Sequence, residues 1–147
     1  MNLFVGSWET VVVDVSESGV ESDARPGRAT IEWIFGGRYL RWDAVLELGG
    51  ETHATTGYLG YDVNQAEYQL LMISDLATGM GVAHGRGEPN SKGITLTLEI
   101  VDPRSGALQR ARSVLRVLGA DHFVLEQMAG DGSGGERVAR RTHYRRS

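Results

Sequence analysis

The stretch "GITLTLEIV" (Gly93–Val101) alternates without a break. Ile94, Leu96, Leu98 and Ile100 fall on one side of an extended chain, with Thr95, Thr97 and Glu99 on the other. That period of two recurs from end to end, and helical spacing is sustained nowhere. "SWETVVVDV" (Ser7–Val15) is rich in β-branched residues. "RATIEWIF" (Arg28–Phe35) puts Ile31, Trp33 and Phe35 on one face, and "RYLRWDAVLEL" (Arg38–Leu48) does the same with Leu40, Trp42, Ala44, Leu46 and Leu48. "ETHATTGYLGYD" and "AEYQLLMIS" follow, and after "GITLTLEIV" come "LQRARSVLRVL", "HFVLEQM" and "ERVARRTHYRR". Gly36-Gly37 and Gly49-Gly50 supply the positive φ that two-residue hairpins need. "DPRSG" and "GDGSGG" mark further turns. About ten strands joined by consecutive hairpins, with no helix between them, predict an all-β, up-and-down antiparallel barrel. Closing it removes the exposed edges an open sheet would keep.

A chain of 147 residues, 41% hydrophobic and 23% charged, fits one domain over 1–147 with a substantial core. No Pro- or Ser-rich linker divides it and no repeat of 20–50 residues recurs. The absence of cysteine rules out disulfides, thiolate nucleophiles and Cys-ligated metal centres. It fits a reducing cytoplasm, as does a start, "MNLFVGSWET", with neither a basic segment nor an apolar run of signal-peptide length. No apolar run is long enough for a membrane-spanning helix, so no membrane role is expected. A net charge of −4 speaks against nucleic acid as a partner. The tail "RVARRTHYRR" is the local exception. On a strand its arginines split between two faces, which predicts a solvated terminal strand rather than a basic stripe.

The ordered set "GSW" (Gly6–Trp8), "GGRYL" (Gly36–Leu40), "GYLGYD" (Gly57–Asp62) with Tyr68, "DPRSG" (Asp102–Gly106) and the terminal Tyr144-Arg145 resembles a bacterial family known as domain of unknown function fifteen seventy-nine. The likeness covers nearly the whole chain, and the order of the motifs is more specific than any one of them. It implies a lipocalin-like, calycin-type barrel of about ten antiparallel strands. It implies no activity and transfers no catalytic residue. Only five residues precede "GSW", so it also implies a short or missing N-terminal cap.

Within that frame, Tyr61 and Tyr68 flank a link containing Asp62 and Asn64, and are expected to form a cross-strand pair that fixes register. The most unusual stretch is "GMGVAHGRG" (Gly79–Gly87), where every odd position is Gly or Ala. An entire face of such residues clears room for a ligand, for Trp33 and Trp42 from other strands, or for a second subunit outside. The histidines, His53, His84, His122 and His143, show no metal-ligand spacing. Ser7, Ser74 and Ser113 sit in no nucleophile elbow, and "GRGEPNSKG" lacks phosphate-loop spacing. No metal site or cofactor is expected.

The leading reading is a binding barrel whose lumen takes a small hydrophobic molecule. Ile31, Trp33, Phe35, Trp42, Leu96 and Leu98 are the apolar lumen candidates. The polar ones are Tyr58, His84, Arg140, Thr142 and Tyr144, the last three sharing one face of the final strand. The alternative is a small enzyme using Tyr58, Glu126 and Arg140 for acid/base chemistry. A haem barrel of the nitrobindin kind, with His84 or His143 on iron, stands behind both, because this chain has Thr10 and Val12 where that family has its second and third glycines. A homodimer is the default assembly.

Overall fold

Ten strands follow a short 3-10 turn at Asn2–Phe4: β1 (Gly6–Val15), β2 (Glu21–Ile34), β3 (Tyr39–Leu48), β4 (Glu51–Asp62), β5 (Glu67–Ser74), β6 (Gly81–Gly87), β7 (Gly93–Val101), β8 (Leu108–Gly119), β9 (His122–Gly130) and β10 (Glu136–Arg146). The computed structural model describes residues 1–76, 78–87, 92–101, 104–130 and 133–147. Each strand pairs antiparallel with its neighbours in sequence, and β1 pairs with β10 to close the barrel. This is the predicted up-and-down architecture, consistent with a lipocalin-like fold. Among the described residues there is no α-helix, and no helix is long and apolar enough to cross a membrane.

Alternation decides what lies inside. Trp8, Ile31, Leu40, Leu59, Leu96, Leu115 and Phe123 are each 1% exposed or less and form the centre of the core. Pairing carries one inner face around the barrel: Ile31 opposes Trp42, Trp42 opposes Gly57, Leu59 opposes Leu70, and Leu70 opposes Ala83.

The turns follow local chemistry, with one departure. Gly49 and Gly50 (φ +61° and +82°) join Leu48 directly to Glu51, the expected two-residue hairpin. Gly36-Gly37 lies instead in a longer link, because β2 ends at Ile34, which pairs with Tyr39. Phe35 is therefore not a lumen residue. It has a positive φ of 50° within the turn, is 75% exposed, and packs edge-on against Tyr39 on the outside. Asp62 Oδ1 accepts hydrogen bonds from the Asn64 and Gln65 amides, and the Tyr61 and Tyr68 rings meet edge to face at 5.0 Å, as expected of a register pair.

β2 begins much earlier than the alternation indicates. "ESDARPGR" has turn composition, yet it pairs with β1 through a bulge where Asp23 takes a φ of 56°. Gly27 permits that pairing, since a Cβ there would run into the Val45 carbonyl and Thr10 Oγ1. "DPRSG" and "GDGSGG" lie partly outside the described residues.

One end of the barrel is closed. The first residues fold under it, and Phe4 inserts into a cluster with Trp42 and Phe123. Trp8 Nε1 donates to the Phe4 carbonyl at 2.8 Å, Trp33 Nε1 donates to Asn2 Oδ1 at 2.8 Å, and Arg146 Nη1 donates to the Val5 carbonyl at 3.0 Å. The Arg146 guanidinium also lies over the Trp8 ring, 4.2 Å from its centroid. The few residues before "GSW" are thus a plug, which the resemblance did not imply.

Candidate functional site: a cavity in the open half of the lumen

Aromatic rings fill the lumen next to the plug. Phe123 stacks on Tyr144 at 4.3 Å, while Trp8 and Trp42 meet Phe123 edge-on at 4.7 and 5.7 Å. Beyond them, toward the hairpins β1–β2, β3–β4 and β5–β6, the side chains become shorter and a cavity of about 260 Å3 opens. Its walls are mostly apolar: Val12 from β1, Trp42, Ala44 and Leu46 from β3, Leu70 and Met72 from β5, Leu115 from β8 and Leu125 from β9. Thr10, Thr55, Gln127, Arg140, Thr142 and Tyr144 add polar atoms. Gly57 belongs to the wall too, and its missing side chain leaves room opposite Trp42.

At the open rim the inner faces of β1, β2 and β10 bring charges together. Arg25 Nη2 and Arg140 Nε both donate to Asp14 Oδ1, each at 2.9 Å. The hydrogen bond from Arg140 lowers the Asp14 pKa below its usual value; burial opposes this, and the charges of Arg140 and Arg25 reinforce it. Arg137 stands beside them. A register shift between Val138 and Arg140 leaves Arg137 opposite Ala129 and Arg140 opposite Gln127, so both return to the inner face. Arg137 Nη1 donates to the Val15 carbonyl at 2.9 Å. The Nε atoms of Arg25 and Arg137 are buried and have no hydrogen-bond partner. At the deep end, burial pushes the Tyr144 hydroxyl pKa up, with Trp42 acting in the other direction.

Of the residues singled out from sequence, Trp42, Arg140, Thr142 and Tyr144 come together on this cavity. Trp33 faces inward but sits half-buried at the plugged end, bonded to Asn2, away from the cavity. Tyr58 and His84 lie on the outer surface. Tyr58 opposes Arg41 and alternates with the cavity residue Gly57, while His84 Nδ1 contacts Glu67 Oε1 at 2.8 Å. Strand parity settles this, and isolated strands leave parity ambiguous when both faces carry mixed residues. The acid/base trio does not assemble, because Tyr58 and Glu126 are outside the barrel and Arg140 inside. Neither His84 nor His143 points into the lumen, so neither can hold an iron there.

Glu126 belongs to a separate network on the outer face. Arg141 Nε and Arg116 Nε donate to its two oxygens at 2.9 and 3.1 Å, and Arg141 also reaches Glu21. Burial alone would raise the Glu126 pKa; the hydrogen bonds from Arg141 and Arg116 outweigh it and leave the pKa lowered. Next to it, His122 Nε2 lies 3.3 Å from His143 Nδ1. The arginine-rich tail is the expected terminal strand with Arg140, Arg145 and Arg146 exposed, and it is paired along both edges, with Arg137 and Arg140 bonded on its inner face and Arg141 on its outer face.

Sequence reading missed Asp14, Arg25 and Arg137. Asp14 carried a usable signal, since it continues the inner series Trp8, Thr10, Val12. Arg25 was hidden in a stretch with the composition of a loop, and Arg137 by the bulge.

The small-residue strand β6 faces inward, so its glycines serve no contact on the outer surface. They do not line the cavity either. A Cβ at Gly81 would touch Leu98, one at Gly87 would touch Tyr68, and one at Gly85 would collide with the Thr95 carbonyl of β7. The room cleared by small residues is taken by those side chains and by a close approach of β7, not by tryptophan.

No curated protein matches the chain. The sequence profile of the family described as "Protein of unknown function (DUF1579)" matches residues 1–146, with this barrel and its lumen inside the matched span, and the chain belongs to that family.

Proposed function

We propose that the open half of the barrel binds one small, largely apolar molecule. The supporting observation is the cavity itself. Protein interiors pack to the density of organic crystals, with few voids larger than a water molecule. A space of about 260 Å3 walled by Val12, Trp42, Leu70, Leu115 and Leu125 is far beyond a packing defect. It approaches the roughly 300–1,000 Å3 of small-molecule sites, and it has their composition of apolar walls with a few convergent polar groups. Ala44 and Gly57 keep it open from two adjacent strands.

Mass spectrometry of the native protein, followed by analysis of its denatured extract, tests the reading. A carried ligand appears as added mass that is lost on unfolding. Protein purified empty is titrated with decan-1-ol while tryptophan emission is followed, since Trp42 forms part of the wall. Ala44→Phe, which fills the cavity from β3, should abolish the response while the far-ultraviolet spectrum stays that of a β protein. An empty protein that takes up no apolar probe, or an Ala44→Phe variant that binds as well as the parent, would overturn the proposal.

A further inference from the structure

The rim has more positive charge than its internal pairing uses. Arg25, Arg137 and Arg140 converge on the inner face of the open end, and among the described residues Asp14 is the carboxylate paired with them. Two of the guanidiniums share one oxygen of that carboxylate, at 2.9 Å each. The third is anchored by backbone carbonyls, which carry no compensating charge. The buried Nε atoms of Arg25 and Arg137 have no acceptor. Buried polar atoms in folded proteins are nearly always paired, while Arg140 and Asp14 keep contact with solvent, at 46% and 36% exposure.

Among the described residues no second carboxylate bonds these three guanidiniums. Asp75 accepts from the Ala54 amide at 3.0 Å and lies 3.3 Å from His53 Nδ1. Glu51 is 3.9 Å from His53 with its side chain 81% exposed, and Glu21 is engaged with Arg141 on the outer face. In a chain with a net charge of −4, three arginines gathered at the mouth of an apolar cavity stand against the overall balance. Arg140 connects the two features, being both a cavity wall and a member of the cluster.

We infer that the ligand is an amphiphilic anion, a medium-length apolar chain ending in a carboxylate. Its tail lies against Trp42, Leu115 and Leu125, and its head group accepts hydrogen bonds from Arg140 and its neighbouring arginines at the rim. Guanidinium suits this role because its planar donors match the two oxygens of a carboxylate. Asp14 then works as a built-in competitor. It holds Arg25 and Arg140 in place while the lumen is empty, and it weakens binding by neutralising part of their charge. This inference rests on the lumen reading above and adds to it the chemistry of the head group.

The test is a head-group series on one chain length: decanoate, decan-1-ol and decyltrimethylammonium, each titrated calorimetrically into protein freed of bound lipid. Decanoate should bind at least about tenfold tighter than decan-1-ol and decyltrimethylammonium weakest, with the decanoate advantage shrinking as salt is raised. Arg140→Gln should remove the decanoate advantage, with the far-ultraviolet spectrum showing that the variant is folded. Arg25→Gln serves as the second variant. Asp14→Asn should strengthen decanoate binding several-fold, whereas an ion pair with a purely structural role would change stability and not head-group preference. If decan-1-ol binds as well as decanoate, or if Asp14→Asn weakens decanoate, the head-group inference fails and the lumen reading survives. Failure of all three probes would sink both.

Discussion

Single residues show how little separates a buried ring from a half-exposed one. Trp33 and Trp42 each lie among apolar residues at alternate positions and both face inward, yet Trp42 meets Phe4, Phe123 and Tyr144, whereas Trp33 ends at the plugged rim with its indole nitrogen on Asn2. Trp42→Ala should therefore cost about 3–5 kcal/mol, as expected for emptying an aromatic core site. Trp33→Ala should cost clearly less, because part of its surface is already in water. Urea unfolding midpoints of the two variants provide the comparison. Equal losses would mean that the rim ring is as much a part of the core as the central one. Which tryptophan mattered more could not be read from sequence, because the pattern gives the face of a strand and not the depth along it.

At the scale of elements, alternation and hairpin glycines were enough to count the strands and join them in order. They failed where the backbone breaks period two. The bulge at Asp23 let a Pro-Gly stretch become the start of β2, and the irregularity between Val138 and Arg140 changed which arginines of β10 face inward. Both breaks fall at the cavity mouth, which is why the walls were partly legible and the charged rim was not. The strand β6 carries its own prediction. Since Leu98, Tyr68 and the β7 backbone already occupy the space beside its small residues, Ala83→Leu should overpack the core and lower stability by about 1–3 kcal/mol. Gly85→Ala should do at least as much, because its neighbour is a backbone carbonyl that cannot rotate away. Decan-1-ol binding should survive Ala83→Leu, measured where the variant is still folded. Loss of binding without loss of stability would place the ligand against β6 instead.

The whole molecule should lose stability in two stages as pH falls. Burial lowers the His122 pKa from its usual 6.5, with the charges of Arg145 and His143 adding to the effect. Its unfolded form therefore takes a proton first, and stability present above pH 6.5 begins to fall just below it. Asp14 and Glu126 also have lowered pKa values, so the stability they contribute is present above the ordinary carboxylate range and is lost as pH drops through their folded values. Melting temperature followed from pH 8 to pH 3 should show both stages, and His122→Asn should erase only the first. A single acid transition in both proteins would show that the His122–His143 contact does not couple to folding. The pairing of β1 with β10 has a consequence in time as well as in space. A chain emerging in order from a ribosome exposes one unpaired edge of β1 until β10 has appeared, so closure cannot begin before all ten strands are out. The same adjacency brings Ser147 N within 3.1 Å of the Ser7 carbonyl. A circular permutant that links the two termini through a short glycine-serine segment and opens the chain between Gly49 and Gly50 should therefore fold to the same barrel, and in it β1 finds β10 at once while β3 and β4 become the pair that must wait.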